Sequence, residues 1–132
     1  MCNKGIIAKE LFEKGYNCCQ AVLLAYCKEL GIDEETAAKL SSSFGGGMGG
    51  MGETCGAVTG MFMVAGLMEG YTFPETLEEK NEHNKRIREL ADKFKAEKGS
   101  LICRDLKASC GDLKPREHCA TLVEFAANLL DK

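Results

Sequence analysis

Apolar residues recur at helical spacing along almost the whole chain, and no alternation of apolar and polar residues bounded by turns indicates a β-strand. This pattern predicts an all-α fold of six or seven helices. At 132 residues the chain is long enough for one domain with its own core and too short to favour two. We therefore expect a single helical domain over residues 1–132.

Capping residues and glycines divide the pattern into separate helices. Asn17, followed three residues later by Gln20, has the sequence of a capping box, and Thr54 and Ser100 are expected to cap the fourth and sixth helices. Pro115 suits the first turn of the last helix. The predicted helices span residues 4 to 14, 17 to 30, 33 to 43, 54 to 70, 74 to 98, a short segment that begins at residue 100, and 115 to 130.

The fifth predicted helix, from Pro74 to Lys98, is long, charged and poor in apolar residues between Lys80 and Lys85. An amphipathic helix normally keeps an apolar stripe against the core along its whole length. The polar gap therefore predicts that the middle of this helix is exposed or covered by another subunit, which is compatible with a homodimer.

The net charge of −3 argues against a nucleic-acid partner, because no basic excess is present to neutralise phosphates. The N-terminal residues are charged and contain no apolar stretch of signal-peptide length, which predicts a cytoplasmic protein. The longest weakly polar run, Cys55 to Met68, has 14 residues and is too short to span a membrane. We expect this run to be a buried central helix, with no insertion into a membrane.

Eight cysteines are unusual for a chain of this length, and in a cytoplasmic protein they favour metal ligands or redox-active thiols over structural disulfides. Cys18, Cys55 and Cys103 fall at or near predicted helix N-termini, and Cys119 falls in the first turns of the last helix. The unpaired N–H groups and the positive dipole end at such positions favour negative charge. We therefore expect lowered pKa values for these thiols.

The remaining cysteines have simpler explanations. Cys19 and Cys27 lie on the apolar stripe of the second helix and are predicted to be core residues. Cys2 is close to the N-terminus, and Cys110 lies in a loop, where it could add a further thiol to a site. No CxxC pair is present, so the zinc-ribbon, ferredoxin, thioredoxin and haem-attachment signatures are missing and spacing alone identifies no ligand set.

A glycine-rich loop, FGGGMGGMGE, precedes the central helix. Gly47, Gly49 and Gly52 formally match GxGxxG, but no predicted strand precedes them, so a dinucleotide site is not indicated. Further along, Gly56 and Gly60 are spaced by four residues, which would let a second helix approach this one closely.

Four segments, GYNCCQAVLLAY, CGAVTGMFMVAGLMEG, GSLICRDL and HCATLVEFAANLL, together resemble the C-GCAxxG-C-C family of redox-active proteins. A related domain occurs with split-Soret cytochromes, although this chain has no haem-attachment CxxCH. The motif here has the order Cys-Gly-Ala, whereas the family's name has Gly-Cys-Ala. The resemblance implies that the defining cysteines are Cys18, Cys55, Cys103 and Cys119, supported by the loop and motif residues Gly52, Gly56, Ala57 and Gly60.

Four thiolates suit an iron–sulfur cluster that passes electrons to an unidentified partner protein. The same cysteines could instead bind zinc, act as a thiol–disulfide oxidoreductase or redox sensor, or merely pack in a helical interaction domain without a cofactor. No catalytic set for hydrolysis stands out in the sequence.

Overall fold

A computed structural model of the protein describes residues 3–73 and 75–131, so the predictions for Cys2 and Pro74 lie outside the described residues. Within these ranges the chain forms seven α-helices and no sheet, which confirms the all-α prediction. The helices are α1 (Lys4–Lys14), α2 (Cys18–Leu30), α3 (Glu34–Ser41), α4 (Gly56–Glu69), α5 (Leu77–Lys98), α6 (Cys103–Ala108) and α7 (Pro115–Leu130).

Helices α1, α2 and α7 begin and end where local sequence signals predict. At the start of α2 the Asn17 side chain accepts a hydrogen bond from the Gln20 N–H at 2.8 Å, and the Gln20 side chain accepts one from the Asn17 N–H at 3.0 Å. This reciprocal pair satisfies two N–H groups that the helix itself cannot pair. It also fixes the position of Cys18, the first residue of α2.

The predicted caps of the fourth and sixth helices are wrong. Thr54 pairs with Ile102 in an isolated antiparallel bridge, and Cys55, without a side-chain capping bond, is the residue that precedes α4. The Ser100 hydroxyl accepts a hydrogen bond from the Ile102 N–H at 3.0 Å, and α6 begins only at Cys103. Backbone pairing between two distant segments replaces the local caps that the sequence suggested.

Helices α2 and α4 pack against each other at the centre, and α1 and α7 cover them. The Tyr26 hydroxyl of α2 donates a buried hydrogen bond of 2.7 Å to the Ala127 carbonyl oxygen of α7. A Cβ atom on Gly60 would lie 2.9 Å from the Cys19 carbonyl oxygen and 2.9 Å from Val22 Cβ, closer than real Cβ contacts. The predicted close approach of a second helix at Gly60 is therefore confirmed.

Helix α3 ends at Ser41 and continues into a 3-10 turn over Ser42–Phe44, which leads into the glycine-rich loop. In α5, capped by Thr76, the buried residues are Leu90 and Phe94, and most of the segment from residue 77 to 89 is exposed. The predicted exposure of the polar gap is confirmed, while the homodimer stays a prediction. Among the described helices, none combines the length and apolarity needed to cross a membrane.

Candidate functional site

Four cysteines from four separate helices line a single cavity of about 310 Å³. Cys18 is the first residue of α2, Cys55 immediately precedes α4, and Cys103 is the first residue of α6. Cys119 lies in the second turn of α7. Cys18, Cys55 and Cys103 are buried and Cys119 is partly exposed. The fold thus brings together residues that are far apart in sequence.

Antiparallel pairing of two backbone segments places Cys55 beside Cys103. The Cys55 N–H donates to the Leu101 carbonyl oxygen at 2.8 Å, and the Cys103 N–H donates to the Glu53 carbonyl oxygen at 2.6 Å. These bonds flank the bridge between Thr54 and Ile102. As a result, the starts of α4 and α6 meet at the cavity.

Gly56 lets Cys18 approach the start of α4. A Cβ atom on Gly56 would collide with the Cys18 Sγ atom and lie 3.0 Å from the Phe44 carbonyl oxygen. A side chain at this position would therefore displace the thiol. Ala57, the next residue, is fully buried. The small residues of the motif set the spacing between α2 and α4, and with it the position of Cys18.

The glycine-rich loop forms another part of the wall. Gly46 lines the cavity. Gly47 has a φ of 72°, and a Cβ there would lie 2.6 Å from Cys103 Cβ, so both conformation and space favour glycine. Gly52, which we singled out from the sequence, has a φ of 75° and packs against Arg104 rather than lining the cavity.

The remaining wall combines apolar side chains with a few polar ones. Phe12, Leu106 and Leu122 contribute apolar surface, and Asn17, Lys107 and Arg116 contribute polar groups. The Arg116 guanidinium donates to the Phe12 carbonyl oxygen, and its central carbon lies 4.2 Å from the centroid of the Phe12 ring. These two contacts fix a positive charge at the cavity.

A sequence profile of the family described as "Putative redox-active protein (C_GCAxxG_C_C)" matches residues 16–132, which is most of the chain. The chain belongs to the C-GCAxxG-C-C family. The resemblance seen in the sequence is thereby confirmed, and the protein is a cysteine-rich member of a redox-active family. No curated protein and no solved structure matches the chain.

The expected lowering of thiol pKa values in this C-GCAxxG-C-C protein is wrong for Cys55, Cys103 and Cys119. Burial raises the pKa of Cys55 to about 12; the nearby Cys18 charge adds to this, and the Ala57 and Val58 N–H groups only partly oppose it. Burial also raises the pKa of Cys103, against the lowering effect of Lys107. Desolvation of the thiolate outweighs the helix N-terminus at these positions.

Cys119 follows the same rule. Burial raises its pKa first, the charges of Cys18 and Cys103 raise it further, and Lys107 and Arg116 lower it. The pKa values of Cys55, Cys103 and Cys119 are each raised further by the negative charge of another cavity cysteine. The thiols therefore lie near enough to repel one another as thiolates, and a bound cation or cationic cluster would relieve that repulsion.

Buried thiols predict that the metal-free protein loses stability in alkali. Burial raises the pKa of Cys19 to about 12, as it does for Cys55, so these thiols stay protonated in the folded state while they ionise in the unfolded chain. The folded state then binds more protons, and the free energy of unfolding falls as pH rises above about 9. From pH 8 to pH 10 we expect a loss of about 1 kcal/mol for each such thiol.

Urea titrations at both pH values measure this loss. Cys19→Ala removes one of the buried thiols without touching the cavity wall, so its stability should fall by about 1 kcal/mol less than that of the wild type over the same interval. An equal loss in the two proteins would contradict the assignment of a protonated, buried Cys19.

The cysteines outside the cavity occupy the places that the sequence suggests. Cys19 is fully buried with its Sγ 3.9 Å from the Met63 sulfur, and Cys27 is 2% exposed, so the prediction that both are core residues is confirmed. Cys110 lies after α6, partly exposed, and does not line the cavity. From Asn3 to Asp131, the described cysteines are free thiols.

The four cavity cysteines offer thiol donors, which two kinds of metal centre use. Tetrahedral zinc with sulfur ligands needs each sulfur about 2.3 Å from the metal, which draws the four sulfurs close together. Among the described residues no group of three or more His, Cys, Asp or Glu side chains has such an arrangement. In an iron–sulfur cluster the four cysteines are shared among two or four iron atoms, so their sulfurs surround a larger space. The donor chemistry of four thiols therefore suits an iron–sulfur cluster as well as a zinc ion.

Sequence reasoning overlooked Lys107 and Arg116 as parts of the site. Lys107 follows Cys103 by four residues in α6, and Arg116 precedes Cys119 by three in α7. Both spacings place the charged residue on the same side of its helix as the cysteine. Helical spacing from each cysteine was therefore the signal that could have identified them.

Proposed function

We propose that this protein is an electron-transfer module that binds an iron–sulfur cluster through Cys18, Cys55, Cys103 and Cys119. The observation that carries the proposal is the convergence of these four thiols on one cavity. Membership of a redox-active family supports it independently of the geometry. When bound, the cluster would supply one-electron chemistry.

The chain's own residues have three tasks in this proposal. The four cysteines hold the cluster as thiolates. The Ala57 and Val58 N–H groups point toward the Cys55 sulfur, where they stabilise negative charge. Phe12, Leu106 and Leu122 limit the access of water to the thiols. The net charge of −3 favours a partner protein of opposite net charge.

Two features argue against Cys55 or Cys103 as the attacking thiol of a thiol–disulfide oxidoreductase. Such an enzyme needs an accessible thiolate near neutral pH, whereas burial raises the pKa of Cys55 and Cys103. Both side chains are also at most 6% exposed. A protein disulfide substrate would have little access to either sulfur.

Anaerobic purification followed by reconstitution with iron and sulfide tests the proposal. We expect a coloured protein with iron and acid-labile sulfide in near-equal amounts, whose visible absorption bleaches on reduction. Zinc bound in place of iron would favour a structural metal site. A colourless protein that stays metal-free after reconstitution, and shows a two-electron thiol couple on quantitative labelling, would overturn the proposal in favour of disulfide chemistry.

A further inference from the structure

We propose that Lys107 and Arg116 make the cysteine cavity selective for anions and act as counter-charges that set the reduction potential of the bound centre. The effect on the reduction potential rests on the proposed function. The anion selectivity is a property of the chain itself and is tested without a cluster.

The distribution of charge around the cavity is the first observation. The chain as a whole is acidic, with a net charge of −3. Among the described residues that line the cavity, however, the charged side chains are Lys107 and Arg116, and no carboxylate is present. An anion that enters the cavity therefore meets two positive charges against a background of apolar wall, where electrostatic attraction is focused.

The second observation is that the geometry of Arg116 is fixed. Its guanidinium donates to the Phe12 carbonyl oxygen and stacks on the Phe12 ring at 4.2 Å, so the side chain is held at the cavity rather than extended into solvent. The contacts with the Phe12 ring and carbonyl oxygen already restrict the Arg116 side chain. It therefore loses less conformational entropy on binding an anion than a freely rotating side chain would.

The third observation links both cations to the sulfurs. Lys107 follows Cys103 by four residues in α6, and Arg116 precedes Cys119 by three in α7, so each cation lies on the same side of its helix as a cysteine of the same cavity. A centre ligated by four thiolates is negatively charged and becomes more negative when it accepts an electron. The two cations stabilise its reduced form more than its oxidised form, and thereby raise the reduction potential.

Competing alkylation of the reduced, metal-free protein tests the selectivity. Iodoacetate is an anion and iodoacetamide is its neutral counterpart, and the same thiolate attacks the CH2 carbon of either reagent and displaces iodide. Their rate ratio at one cysteine therefore cancels differences in thiol pKa and leaves the electrostatic attraction of the reagent. Mass spectrometry measures the ratio at Cys119, with Cys110 outside the cavity as the internal reference.

We expect the iodoacetate-to-iodoacetamide ratio at Cys119 to fall about threefold in Lys107→Gln or Arg116→Gln and about tenfold in the double variant, at low ionic strength. Lys80→Gln is the matched control, because it removes one charge from an exposed position on α5 away from the cavity. Arg116→Lys keeps the charge and should keep most of the ratio. In 1 M salt all variants should converge.

A ratio that is the same in the double variant and in Lys80→Gln would overturn the anion selectivity. If Arg116→Gln fails to fold because the Phe12 contact is lost, Lys107→Gln and Arg116→Lys decide the question. In protein that takes up a cluster, each neutral variant should have a lower reduction potential than the Lys80→Gln control, and an unchanged potential would overturn the counter-charge role. A protein that takes up no cluster contradicts the proposed function and, with it, the counter-charge role, but it leaves the alkylation result as the test of selectivity.

Discussion

Serine in place of any one of the four cavity cysteines is expected to abolish cluster binding. The four thiols line one cavity, and a hydroxyl is a far weaker ligand for iron than a thiolate. We expect the iron content after reconstitution to fall at least about tenfold in each variant. Iron and sulfide analysis together with the visible spectrum measures the effect.

Cys110→Ser is the control for this series, because Cys110 does not line the cavity. It should bind as much iron as the wild type. Cys119→Ser is the most informative member, since Cys119 is partly exposed and its replacement leaves no buried hydroxyl without a partner. Wild-type iron content in Cys119→Ser, with a helical circular dichroism spectrum, would remove Cys119 from the ligand set.

Alanine at two glycines of the same helix should change stability in opposite directions. At Gly60 the new methyl group would lie 2.9 Å from a backbone carbonyl oxygen of α2, so the two central helices must move apart. We expect a loss of about 1–3 kcal/mol in the free energy of unfolding. At Gly66, also within α4, no atom lies within 4 Å of the added Cβ. There the gain in helix propensity should stabilise the protein by about 0.5–1 kcal/mol.

Urea unfolding of the metal-free proteins measures both changes, and Gly66→Ala serves as the control for the general effect of alanine in α4. Destabilisation of similar size at the two sites would mean that close packing against α2 is not the reason for Gly60. Because the same contact sets the distance between α2 and α4, Gly60→Ala should also weaken cluster binding, whereas Gly66→Ala should not.

Features set by neighbouring residues were predictable from the sequence. The capping box of Asn17 and Gln20 involves residues three apart, and it places the start of α2 correctly. The bridge between Thr54 and Ile102 joins segments far apart in the chain, and no local signal distinguishes it from a helix cap. The predicted caps at Thr54 and Ser100 were wrong because tertiary backbone pairing satisfied the same groups in another way.

The candidate site was likewise predictable only in part. Cysteine placement near helix starts, with the family resemblance, indicated which four thiols to examine. Their electrostatics could not be predicted, because the raised pKa of Cys55 depends on burial by segments that meet only in the folded protein. Lys107 and Arg116 were overlooked because each belongs to the site through its helical spacing from a cysteine, not through a motif of its own.

The convergence of α2, α4, α6 and α7 on one cavity has a consequence for the unfolded chain. A cluster bound by both Cys18 and Cys119 would cross-link two residues that lie about a hundred residues apart in the chain. Closing so long a loop removes much of the conformational freedom of the denatured ensemble. The cofactor would then serve as the domain's principal cross-link, a role that disulfides fill in small secreted proteins.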